Sequence, residues 1–78
     1  MIGKYSIALR YKRQHYAGWP DEPLPALNGR TAREAVRTRE GRLAVEELLR
    51  QFENAEERER KEGHAAYEFF DIRKELGL

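Results

Sequence analysis

No cysteine occurs among the 78 residues, so neither a disulfide nor a thiolate is available to brace the fold, bind zinc or act as a nucleophile. Small secreted domains commonly depend on such bridges, which makes an intracellular, cytoplasmic location the expectation. Long apolar runs are lacking as well. Ile7-Ala8-Leu9 is stopped at once by Arg10, well short of the ~7–15 residues of a secretory h-region or the roughly 20 of a membrane span, and no membrane partner is expected. Serine occurs once, as Ser6, and histidine twice, as His15 and His64, leaving little for nucleophile-and-base catalysis. Neither histidine begins an H-x-x-x-H or H-E-x-x-H pair, and both glycine-rich phosphate cradles, G-x-x-x-x-G-K and G-x-G-x-x-G, are missing. The expectation is a non-enzyme with no catalytic residues, no metal and no cofactor.

A chain of this length buries only about 60% of the surface its unfolded form exposes, so it has one core and a thin stability margin. Charged residues make up 37% of it, yet the net charge is +1. The two signs are unevenly placed. Residues 1–20 carry Lys4, Arg10, Lys12 and Arg13 and no acid, whereas residues 53–78 hold 8 acids against 5 bases. A basic head and an acidic tail follow, which ordinary solvated helix faces explain and a charged partner would exploit.

The pattern predicts an all-α, single-domain bundle of about four helices with a proline-rich connector. A basic helix is expected over 1–18, with Tyr5, Leu9, Lys12 and Tyr16 at helical spacing, although Ile7, Leu9 and Tyr11 also alternate as a short strand over 5–11 would. The connector, 19–29, contains Pro20, Pro23 and Pro25 and is expected to be extended and rigid, with Trp19, Leu24 and Leu27 on the core. In the region 30–62, Asn28-Gly29 signals a turn and Thr31 with Glu34 forms a capping box opening a short helix at Ala32. Thr38 caps a long helix from 39 to about 61, with Val45, Leu48, Leu49, Phe52 and Ala55 as its buried stripe. Glu56 is placed on the exposed face, pairing with Arg60. The last region, 63–78, reads as an amphipathic C-terminal helix bearing Tyr67, Phe69, Phe70, Ile72 and Leu76, with Asp71 either its N-cap or an interior residue.

Arg30, Arg33 and Arg37 are spaced to line one side of the capped turn and short helix, where their guanidinium forks suit carboxylates or phosphates. Solvation or intramolecular pairing is the competing explanation, since residues 21–52 balance 6 arginines with 6 acids. Tyr5, Tyr11, Tyr16 and Trp19 pose the same choice between a recognition patch and the core, and in so small a fold most rings are expected inside.

Trp19 to Leu49, reading W-P-D-E-P-L-P-A-L-N-G-R-T-A-R-E-A-V-R-T-R-E-G-R-L-A-V-E-E-L-L, resembles the toxin-binding domain of Xre/MbcA/ParS-type antitoxins. The shared features are a Trp before an acidic, proline-containing connector, the turn from Pro25 through Thr31, and the Thr38-Arg39-Glu40-Gly41 step into an amphipathic helix. Ala32 and Asn28 stand where that family usually has proline and glycine. The resemblance implies a bacterial interaction module that neutralises or sequesters a protein partner, in that family a RES-type toxin that consumes NAD. Its candidate partner-binding residues here are Arg30, Arg33, Arg37, Trp19 and Gly29. A small nucleic-acid-associated domain using the basic head and the arginines is the second reading, and a homo-oligomer is also open to the chain.

Overall fold

Lys12 and Tyr16 lie one helical turn apart and both reach Glu56 of a distant segment, through Nζ at 2.8 Å and the phenol at 3.5 Å. That shared target is available only if the intervening backbone is helical, and residues Lys4–Ala17 form α1. The computed structural model describes residues 4–78, with side chains described from Ile7 onward; residues 1–3 and the Lys4, Tyr5 and Ser6 side chains lie outside the described residues. After α1 come two single-turn 3-10 helices, Trp19–Asp21 and Pro25–Leu27, then α2 (Ala32–Ala35), α3 (Arg39–Lys61) and α4 (Phe70–Glu75). No strand occurs among the described residues. The chain is a small all-α domain.

The connector is tighter than the extended segment its prolines suggest. Pro20 and Pro25 occupy the opening positions of the two 3-10 turns, where a fixed φ suits a helical start and a missing N–H removes no bond. Leu24, before Pro25, does keep the extended backbone expected of a pre-proline residue, at φ −121° and ψ 131°. The loop then closes on itself: Gly29 N–H donates to Leu24 O at 2.9 Å and Leu24 N–H to Arg30 O at 3.1 Å. Closure requires left-handed backbone at Asn28 and Gly29, with φ of 59° and 81°, which asparagine tolerates and glycine adopts freely.

Both predicted caps are present. Thr31 Oγ1 accepts from Glu34 N–H at 3.1 Å while the Glu34 carboxylate accepts from Thr31 N–H at 2.9 Å, the reciprocal box that satisfies two helix-start donors. Thr38 Oγ1 accepts from Gly41 N–H at 3.0 Å and starts α3. Gly41 also lets α3 lie directly on α2, because a Cβ there would collide with the Ala35 backbone carbonyl.

The core joins Trp19, Leu27, Ala32, Ala35, Val45, Leu49, Phe69, Ile72 and Leu76, with Leu48 and Phe52 partly buried against it. The α3 stripe continues beyond Phe52 through Glu56, which is 7% exposed, and not through Ala55, which faces solvent. From Val45 and Leu49 the successive helical steps fall on Phe52 and Glu56, so Glu56 is not on the exposed face and does not pair with Arg60. Arg60 instead bonds Glu68 at 3.0 Å.

The C-terminal region is also not one helix. Residues 64–69 have no regular structure, and Ala65, Tyr67 and Phe69 alternate inward as in an extended chain. Their backbone groups serve tertiary partners: Ala65 O accepts from Lys12 Nζ at 2.8 Å and Tyr67 N–H donates to Glu56 at 2.7 Å. α4 is six residues long, its N-cap position is Phe69 without a side-chain cap, and Asp71 lies inside it. Tyr16, Trp19, Phe52, Tyr67 and Phe69 form a ring cluster, with Tyr16–Phe69 centroids at 4.7 Å and Trp19–Phe52 at 5.5 Å. Tyr11 stays outside it, 71% exposed.

Leu49→Ala will cost about 2–5 kcal/mol in urea unfolding, as expected for a fully buried leucine. Gly41→Ala will also destabilise, by about 1–3 kcal/mol, despite alanine's higher helix propensity, because the α2–α3 approach must open. An unchanged midpoint in either variant would contradict the packing described.

Candidate functional site

The five residues singled out by sequence do not make one displayed face. Trp19 is 6% exposed and its ring belongs to the core. Gly29 shapes the turn between connector and α2. Arg30 is exposed but folds back, its Nε donating to Leu27 O at 3.2 Å. Arg33 is committed within the molecule: Nε donates to Asp21 Oδ1 at 2.7 Å, and Nη2 donates to Asp21 Oδ2 at 3.2 Å and to Glu75 Oε1 at 2.6 Å. It therefore ties the first 3-10 turn and α4 to α2, and its hydrogen bond holds the Asp21 carboxyl below its ordinary range. Only Arg37 is exposed with no side-chain hydrogen bond or ion pair among the described residues.

Arg37 instead joins Arg39, Arg42, Leu43, Glu46, Val36 and Leu78 around an open groove of about 560 Å³ at the start of α3. Sequence reasoning missed this grouping. Arg39 with Leu43, and Arg42 with Glu46, are i,i+4 neighbours that look like ordinary helix surface; what distinguishes them is that Glu46 is drawn away by Arg73 Nη1 at 2.5 Å. That same guanidinium clamps Glu53, through Nε at 2.9 Å and Nη2 at 2.8 Å, and pulls the Glu53 carboxyl below its ordinary value.

The second polar centre is Glu56. It accepts from Lys12 Nζ, from Tyr67 N–H and, at 3.5 Å, from the Tyr16 hydroxyl. Burial, with the Glu56 charge second, pushes the Tyr16 phenol up. No buried side-chain nitrogen or oxygen among the described residues lacks a partner, so this carboxylate has its bonds occupied by the fold.

His15 lies edge-on to Tyr16 at 5.1 Å. His64 Nδ1 is 2.5 Å from Glu59 Oε2 and 3.8 Å from Glu62, and ligand atoms of these three side chains fall within 4.8 Å of one another. They are the described residues with a spacing that could hold a cation, but His64 and Glu62 are exposed and a hydrogen bond between His64 and Glu59 accounts for the contact. No helix among the described residues is long and apolar enough to cross a membrane.

Fold and surface thus define a small all-α domain with a closed polar interior and an open cationic, apolar groove. The chain matches no family model, no curated protein and no solved structure.

Glu56→Ala will destabilise by about 3–5 kcal/mol, since it strands a partly buried ammonium and a backbone donor, while exposed Glu57→Ala will stay within about 0.5 kcal/mol. Acid will weaken the Arg73 clamp in a defined direction. Glu53 has a folded-state pKa depressed below 4.5, so its contribution is complete above the unfolded value and disappears as pH falls through the folded one. Thermal melts of wild type and Arg73→Gln will differ at about pH 7, and the difference will shrink as acid protonates Glu53.

Proposed function

We propose that this chain is a non-catalytic protein-binding module that neutralises or sequesters a partner, as its resemblance to antitoxin toxin-binding domains implies. The observation that carries this reading is the contrast between interior and surface. Buried polar side-chain atoms are partnered throughout the described residues, whereas Leu43, 64% exposed, stands among arginines that make no side-chain hydrogen bond or salt bridge among the described residues. An apolar centre ringed by unpaired guanidinium groups has the composition of a protein interface, in which arginine is enriched. A cognate toxin is the partner class the resemblance suggests.

Binding to a nucleic-acid backbone is the second reading, favoured by Arg10 and Arg13, which are exposed on α1. Two cations that reading would use are already committed, Lys12 to Glu56 and Arg33 to Asp21 and Glu75. Salt separates the two readings. Capture of a protein partner by the immobilised chain will persist when salt is raised from about 50 to 200 mM, while phosphate-driven binding would fall by orders of magnitude. Arg37→Glu will reduce capture with the melting midpoint held, whereas Arg33→Glu will lower the midpoint because its two carboxylate partners are internal. Binding that collapses with salt, or capture unaffected by Arg37→Glu, counts against the proposal.

A further inference from the structure

Arg39 and Arg42 occupy the beginning of a 23-residue helix, where the aligned peptide dipoles disfavour cations. Arg37 precedes them, and all three are exposed with no side-chain hydrogen bond or ion pair among the described residues. The natural helical partner of Arg42 is Glu46 one turn on, but Glu46 is held by Arg73. Glu40, the acid of that first turn, does not line the groove. The guanidiniums therefore flank an apolar floor of Val36, Leu43 and Leu78 with no carboxylate hydrogen-bonded to them among the described residues: Glu46, which also lines the groove, is held by Arg73, and Glu34 acts on Arg37 only through space.

We propose that this groove binds an acidic, amphipathic segment of a partner protein, seating an apolar side chain on the Val36, Leu43 and Leu78 floor with Asp or Glu carboxylates on Arg37, Arg39 and Arg42. This rests on the protein-binding reading and adds the chemistry of the partner. Charge complementarity sets the partner's sign, because three unpaired guanidinium forks repel a basic segment and accept carboxylates with two parallel hydrogen bonds each. The floor sets its class. A nucleic-acid backbone would satisfy the guanidiniums and leave the floor in water, whereas a peptide with leucine between acids buries it.

The test is fluorescence anisotropy with the full chain and a labelled short peptide carrying Leu and Glu on one helical face. Its Glu→Gln twin and a single-stranded oligonucleotide serve as comparison probes. The peptide will bind saturably, and the Gln twin will bind at least about tenfold more weakly. Arg39→Glu combined with Arg42→Glu will abolish peptide binding while the melting midpoint holds or rises, since acids suit a helix start. Leu43→Ser will weaken the peptide about tenfold and leave any oligonucleotide binding unchanged. Peptide binding indifferent to Leu43 or to the charge reversal overturns the proposal, as does an oligonucleotide that binds more tightly than the peptide. Capture from the native cell distinguishes the levels of failure. A protein held equally by wild type and both groove variants overturns the groove and leaves the protein-binding reading standing; no protein held by wild type, with no peptide binding, overturns both.

Discussion

Three segments remote in sequence meet at the Glu56 carboxylate: α1 through Lys12, the irregular stretch after α3 through Tyr67 N–H, and α3 itself, which carries the acid. Lys12 adds a second bond to Ala65 O, so one ion pair pins both α1 and the C-terminal stretch. The aromatic cluster depends on this anchorage, because Tyr16 packs on Tyr67 and Phe69 only while α1 and residues 64–69 are held against α3. A buried charge is stabilising only when its bonds are filled. Here they are filled from α1 and from residues 64–69, so the pair holds both segments on α3.

At the other end of α3 the logic is local. Reciprocal caps at Thr31 and Thr38 start two helices within a few residues, and Gly41 allows those helices to touch through backbone. Ala32 and Ala35, both fully buried, keep the α2 side of that contact small. The junction is assembled from short side chains and hydrogen bonds. Its outward face consequently holds long side chains that the core never needed.

Arg73 links these two ends in electrostatic terms. By gathering Glu46 and Glu53 it fixes α4 to the middle of α3, and in doing so removes the acid that would have neutralised Arg42. Arg33 acts similarly on Asp21 and Glu75. The near-neutral charge balance of residues 21–52 thus conceals an uneven surface, since several acids are spent internally and Arg37, Arg39 and Arg42 are left in solvent.

What sequence alone determined is the part governed by near neighbours. The helix starts at Ala32 and Arg39, the turn at Asn28-Gly29 and the buried pair Val45 and Leu49 follow from capping, backbone permissiveness and a 3.6-residue period, all of which act within one or two turns. Tertiary structure decided the rest. Prolines allow extended and 3-10 backbone alike, and core packing selected 3-10 turns. Glu56 looked like solvated helix surface because its partners lie 44 and 11 residues away, and residues 64–69 gave up helical hydrogen bonds for those same distant groups. The arginines divided for the same reason: whether a guanidinium is spent or free depends on which carboxylate reaches it, and for Arg33 that carboxylate sits as far off as Glu75, 42 residues along the chain.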